Sequence, residues 1–302
     1  MPPFLLMNNT FSVSFSDNSF QLIHSASDGK EQALVSCSQH PYPNPVSVDQ
    51  IFNPDNLLAL IDAVNNLKTS NNLEDIELAF SLPFNYAKIK KVAYPKDSDK
   101  KLKRTQIEWE LASVTSDNIK DFKISVLNEN KKHSEYNEAL IVAINKSLIK
   151  KLQYVAEESG AGISGVFLNC FSLENYLDYN KAFGQDQNYI FLKMGEKYIE
   201  HHYFLGKDYF SSCVDLVMEA NNRSKEELVL ELSNERYKQA VNIAGQMENS
   251  NKFNLIVFGN SVSESIVDTL KNGLSLSVEY AGIGNYSESD GYKYIEAWGS
   301  IL

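Results

Sequence analysis

The stretch TFSVSFSDNSFQLI (residues 10–23) alternates apolar with small polar residues on both sides of a polar turn. A period of two fits strands, whose side chains point to opposite faces in turn, so two antiparallel strands are expected around Asp17-Asn18. A second turn signal at residues 27–30 leads into a third strand-like run, EQALVSCS. Three consecutive strands make a meander. Asn53-Pro54-Asp55 then marks a helix start. Asn is a cap, Pro lacks an N–H that the first turn would leave unused, and the acid sits beside the positive end of the dipole. Leu57, Leu58, Leu60, Ile61 and Val64 supply the apolar face. Residues 75–83 read as a largely apolar strand, so the chain opens β-β-β-α-β.

The next region changes character. Residues 86–94 (YAKIKKVAY) read as a strand, and residues 99–114 as an amphipathic helix carrying Leu102, Ile107, Trp109 and Leu111. DFKISVLN and EYNEALIVAIN read as strands. The helix of KSLIKKLQYVAEESG should stop near Gly160, a residue that takes a left-handed cap without strain. ISGVFLNC is a further strand, and SLENYLDYNKAF a helix with Ser172 as its cap. After residues 184–187 the opening pattern returns. NYIFLKMG and KYIEHHYFLG are two strands around Gly195-Glu196. SSCVDLVMEA reads as helical, and a long helix follows from Ser224. A buried-type strand then ends in Gly259-Asn260, before a helix, a short strand and a final helix in YKYIEAWGSIL. The echo between the halves points to a duplicated fold.

A chain of 302 residues suggests about two domains, and 43% apolar residues suffice for sizeable cores. A formal charge of −11 argues against a nucleic-acid binder, which needs clustered Lys and Arg to neutralise phosphates. The one basic cluster, Lys100, Lys101, Lys103 and Arg104, reads as a solvated helix face. Cys37, Cys170 and Cys213 are too few and too scattered for a disulfide framework or a zinc site. No segment reaches about 18 apolar residues, so no direct membrane insertion is expected. The N-terminus lacks the basic region of a signal peptide. A cytoplasmic protein is expected, with peripheral association at the inner membrane left open.

These segments resemble the actin/Hsp70/sugar-kinase superfamily, and more specifically the PilM-type proteins of type IV pilus assembly, relatives of FtsA. The resemblance rests on LPFNYAKIKKVAYP, on QIEWELAS, on the strand-helix-strand-helix run from EALIVAINK to SLENYL, and on the terminal EAWGSIL. It implies an α/β fold of two RNase H-like domains facing each other across a nucleotide cleft, with a small inserted α+β subdomain. The expected boundaries are 1–83 with a helix at about 171–184, 84–170 for the insert, and 185–302.

The resemblance also places a degenerate cleft on Ser16, Asp17, Asn18, Lys193, Gly195, Gly259 and Asn260. In the family, turns at these places aim backbone N–H groups at phosphates, and carboxylates hold a metal ion. Here Ser14 and Ser16 stand for the family's Asp and Gly at the first turn. Lys193 stands for the Asp at the second, and Asn260 for a Gly at the third. Two lost carboxylates weaken metal-assisted hydrolysis, so no catalytic residue, no metal and no cofactor is expected. ATP binding without turnover stays open, with Lys193 facing a phosphate as a point charge.

The implied function is an adaptor that captures the cytoplasmic tail of a membrane-anchored assembly protein. An active ATPase or small-molecule kinase, or a lineage-specific actin-like protein of another role, are the alternatives. The tail is expected in a groove between the insert and the first domain. Lys88, Lys90 and Lys91 are candidate partner residues on an edge strand, which also read as gatekeepers against self-pairing. Among other candidates, His201 and His202 point to opposite faces of a strand and read as an edge or surface pair. Trp109 reads as a core anchor between exposed carboxylates, and Glu74, Asp75 and Glu77 read as solvated.

Overall fold

The computed structural model describes residues 8–29, 31–43, 50–130, 135–184, 186–217, 223–247, 252–281 and 291–302. Two five-stranded sheets of the same design carry the chain. In the first, β1 (Asn8–Phe15), β2 (Ser19–Ser27) and β3 (Gln32–Pro41) form the meander, and β4 (Glu77–Leu82) joins β1 in parallel. Between β3 and β4 runs α1 (Pro54–Ser70), capped by the Asn53 side chain on the Asn56 N–H. The strand order is β3-β2-β1-β4-β8, with β8 (Gly162–Leu168) parallel to β4.

The second sheet repeats this plan. β9 (Asn188–Met194), β10 (Tyr198–Leu205) and β11 (Asp208–Leu216) form a meander. β12 (Phe253–Phe258) and β13 (Ser277–Tyr280) complete the order β11-β10-β9-β12-β13. α5 (Lys225–Gln246) starts in a capping box between Ser224 and Glu227, and α6 (Glu264–Gly273) on a Ser263 cap. β11 corrects the expected helix at SSCVDLVMEA. Its residues up to Leu216 pair with β10, and 218–220 lie outside the described residues. Edge pairing to β10 settles a segment whose own pattern is ambiguous. The correction completes the echo, since both meanders have three strands.

The insert is a three-stranded antiparallel sheet of order β5-β7-β6, made of β5 (Ala87–Pro95), β6 (Phe122–Asn130) and β7 (Tyr136–Asn145). α2 (Lys100–Ala112) packs on one face through Ile107 and Leu111. The boundary expected at 170 is corrected. α3 (Lys146–Glu158) packs on α1 and β8 pairs with β4, so the chain has rejoined the first sheet by residue 162. α3 does end before Gly160, whose φ is +56°.

Alternation in β1 has a direct packing consequence. Phe11, Val13 and Phe15 enter the apolar core beneath α1. The opposite face carries Ser12 and Ser14, beside Ala79 and Ser81 of β4. These small residues let α4 (Asn169–Tyr179) and α7 (Ile295–Gly299) approach closely, through Ser81 Oγ to Ser172 Oγ at 2.9 Å and Ser12 Oγ to Ser300 Oγ at 2.5 Å. Ser172 is therefore a buried packing residue inside α4 rather than its cap, because the helix starts at Asn169, with Leu168 in the cap position.

Two further expectations are corrected. Trp109 is 66% exposed, because Ile107 and Leu111 set the inward face of α2 and turn Trp109 away from it. His201 and His202 are fully buried, because β10 lies inside the second sheet rather than at its edge. Glu74, Asp75 and Glu77 are exposed.

α4 and α7 touch backbone to backbone at Gly299, where a Cβ would stand 1.8 Å from the Ser172 carbonyl oxygen. Gly299→Ala is expected to cost about 2–3 kcal/mol, the upper end of overpacking penalties. Gly245→Ala, in α5 with open space around its Cβ position, should instead gain about 0.5–1 kcal/mol from helix propensity. Urea unfolding of both variants checks the contrast.

Candidate functional site

The two meanders place their hairpin turns face to face. In the first, the Ser16 N–H donates to the Ser19 carbonyl at 2.9 Å, and in the second the Gly195 N–H donates to the Tyr198 carbonyl at 2.9 Å. The loop after β12 completes the trio. Gly259 has φ +111°, and a Cβ there would lie 2.6 Å from the Met194 carbonyl oxygen, so only glycine fits this approach. The seven cleft residues named from the sequence thus converge on one place.

Their polar atoms are largely spent on one another. Asp17 Oδ2 accepts the Lys197 N–H at 2.8 Å, across the two units. Asn18 Nδ2 donates to Glu196 at 3.0 Å. Asn260 Nδ2 donates to Ser16 Oγ at 3.0 Å and to Asn18 Oδ1 at 2.8 Å. Ser16 Oγ donates to the Ser19 carbonyl at 2.7 Å. Gly195 lies against Asp17, and the Gly195 carbonyl accepts from Lys225 Nζ at 3.2 Å. Ser14 donates to Gln21 at 3.1 Å rather than facing an open space.

Lys193 is 1% exposed. Its ammonium donates to the Phe15 carbonyl at 3.1 Å and lies 2.9 Å from Glu296 on α7. Glu200, its cross-strand neighbour on β10, is also buried and accepts from Asn169 of α4 at 2.6 Å. His202 Nε2 lies 3.3 Å from the same carboxylate. One buried cation thus faces two buried carboxylates.

Electrostatics divides the two acids. Burial opposes the charge of Glu200, but Lys193, His202 and Asn169 outweigh it and hold Glu200 below the usual carboxylate range. Burial, reinforced by the charge of Glu200, pushes Glu296 up to about 7, with Lys193 pulling the other way. Burial also works against the Lys193 charge, yet Glu296 and Glu200 overcome it and raise its pKa. Burial holds His202 below its ordinary value, with Glu200 pulling it back up. The stable arrangement is Lys193 charged, Glu200 ionised and Glu296 exchanging its proton near neutrality.

Glu296 and Glu200 were not named from the sequence. Each stands alone in an apolar segment, YIEAWG and KYIEHHYF, and a lone carboxylate in a buried-type run is the signal that such a group has a buried partner.

A second feature lies between the insert and the first unit. Leu127 of β6, Val142 and Ile144 of β7, Val166 and Phe167 of β8, and Phe171 of α4 line an apolar groove of about 370 Å³. It runs on past Leu127, Phe167 and Phe171 into a more polar hollow of about 340 Å³ that carries Lys91, Glu174 and Lys207. β6 and β8 are each the last strand of their sheet, so backbone edges border the groove. Burial, aided by Asp178, lifts Glu174 to about 7.

The three lysines expected on an edge strand do lie on β5, which is an edge. Only Lys91 reaches this hollow, with its Nζ 5.8 Å from the Phe210 ring centre. Lys90 turns the other way and pairs with Glu110 of α2 at 2.7 Å. Lys88 is half-buried and shares that parity.

Two sheets of one design, facing turns and an inserted subdomain define an actin-like fold. No family model matches the sequence. No curated protein matches it either. Among solved structures, a PilM-PilN type IV pilus biogenesis complex matches with a TM-score of 0.72 at 12% identity, over 97% of this chain and 97% of that one. A Bacteroides thetaiotaomicron protein of unknown function with an actin-like ATPase fold gives 0.55 at 13% identity, over 98% and 96%. The cytoplasmic domain of EpsL, an inner membrane component of the type II secretion system of Vibrio cholerae, gives 0.54 at 9%, over 91% of each. The chain has the actin-like ATPase fold.

The Lys193 cluster makes stability pH-dependent. Glu296 binds its proton more tightly folded, at about 7, than at its ordinary 4.5. Its contribution is therefore complete below about 4.5 and is lost as pH rises through about 7. Glu296→Gln should remove that decline, seen as urea midpoints that no longer fall between about pH 5.5 and about pH 8. Lys193→Met should cost about 3–5 kcal/mol at the higher pH, because it strands two buried carboxylates, and less at the lower. An equal cost at both would contradict the charge assignment.

Proposed function

We propose that the protein is a PilM-like scaffold that captures an extended tail of a membrane-anchored assembly protein in the groove between insert and first unit. The observation that carries this reading is the groove itself, an apolar floor bordered by two strand edges that are unpaired among the described residues. An extended peptide gains main-chain hydrogen bonds from such an edge and selectivity from alternate side-chain pockets. The likeness to a PilM-PilN complex and to an EpsL cytoplasmic domain supports a role in a pilus or secretion machine. On this reading the protein works in the cytoplasm at the face of the inner membrane. Among the described residues no helix is long and apolar enough to cross a membrane.

The cleft serves on this reading as a joint between the units. Asp17 occupies the Lys197 N–H, a group of the kind that would otherwise hold phosphate, and Glu296 occupies the Lys193 ammonium. Calorimetric titration with ATP and Mg²⁺ should give only heats of dilution, and phosphate release should match buffer. Saturable ATP binding would return the cleft to a nucleotide role.

The groove is tested by capture of the cytoplasmic tails of membrane proteins encoded by neighbouring genes. A captured tail should bind at least about tenfold more weakly to Leu127→Asp, whose side chain is 48% exposed, and to Ile149→Glu on α3 at the groove wall. Tail binding that survives both changes would place the site elsewhere.

A further inference from the structure

The inserted sheet has a second open side. α2 packs nearest β5, through Ile107 and Leu111 against Val92 and Tyr94. A channel of about 860 Å³ is left between α2 and β6. Its floor is apolar, with Ile107, Ile119, Phe122, Ile124 and Val126, and Val126 is 42% exposed.

The rim is basic. Lys100, Lys103, Arg104, Lys120 and Lys146 line it, against a single acid, Glu108. Arg104 is bonded to Glu108 at 2.8 Å, and Lys103 to Glu129 of β6. Lys146 Nζ donates to the Lys120 carbonyl at 2.5 Å. Lys100 and Lys120 are exposed and form no ion pair among the described residues. This concentration of cations runs against a chain of net charge −11. A solvated helix face accounts for the residues of α2, but not for Lys120 and Lys146, which come from other segments to the same apolar channel.

We propose that this channel is a second docking site, for an acidic, extended segment of a partner protein with apolar residues between its acids. Apolar side chains would cover Ile124 and Val126, and carboxylates would meet Lys100 and Lys120 at the rim. The shape favours an extended segment. α2 has 13 residues and so offers about 20 Å of channel length, the span of about six residues of strand. Phe122, Ile124 and Val126 lie in one row along a single strand, a two-residue spacing that the alternate side chains of an extended segment match. The site lies on the opposite face of the sheet from the tail groove and does not depend on that assignment, since Phe122, Ile124 and Val126 alternate with Lys123, Ser125 and Leu127.

The test uses the full chain and a fluorescein-labelled peptide, Glu-Ile-Glu-Val-Asp-Leu-Glu-Gly, followed by anisotropy. Saturable binding at tens of micromolar is expected, weakening as salt rises. The double variant Lys100→Glu, Lys120→Glu changes two exposed side chains, so folding is not at issue, and it should weaken binding at least tenfold. Ile149→Glu, in the other groove, should leave it unchanged, which separates the two sites. The same peptide with Lys in place of its acids should not bind. No saturable binding, or binding that survives the double reversal, would overturn the proposal. So would a failure to bind peptide together with strong binding to phosphatidylglycerol vesicles, which would make the cluster a membrane contact.

Discussion

The Lys193 ammonium is the interaction on which the arrangement of the two units depends. A buried cation must be paired, and its partners come from separate parts of the chain: the Phe15 carbonyl from the first hairpin and Glu296 from the last helix. Glu200 beside it is tied in turn to Asn169 at the start of α4. The position of one side chain thus fixes where the second sheet meets the first. Around it the two units share apolar packing as well, with Phe191, Phe204 and Phe258 of the second sheet in the same core as Phe15 and Leu173. Such a joint resists hinge motion more than a solvated cleft would, because opening it exposes both charge and apolar surface to rearrangement.

Much of the fold was legible because local pattern and tertiary role agree. The serines of β1 alternate with Phe11, Val13 and Phe15, and both sets of residues find the face their size suits. Asn53-Pro54 and Gly160 mark helix ends through backbone chemistry that needs no tertiary information. Where tertiary context decides, the pattern misleads. SSCVDLVMEA has no firm period and becomes a strand because β10 offers it an edge. Trp109 belongs to an apolar set by type, yet the faces of α2 leave it outside.

The site divides the same way. Turn residues such as Asp17 and Gly259 announce themselves through polarity and glycine, and the fold brings them together. What they do there is set by distant partners. Nothing near Lys193 in the sequence specifies Glu296, more than a hundred residues away, and nothing near Lys90 specifies its turn towards Glu110 rather than towards the groove. The groove is less legible still, because its walls come from β6, β7, α3, β8 and α4, and its shape is a property of how sheets meet.

The close seat of α7 on α4 and β1 carries a consequence for how the chain matures. Gly299 and Ser300 complete the back of a sheet whose own strands end by residue 168. On a ribosome the first unit would emerge with its core side covered by α1 and α3 and the Ser81 end of its serine face covered by α4, but with the Ser12 end bare. It could close only after about 300 residues had been made. Domains usually finish in order of synthesis. Here an early sheet waits for a late helix, so a nascent chain would expose this part of the face while the second unit is being made.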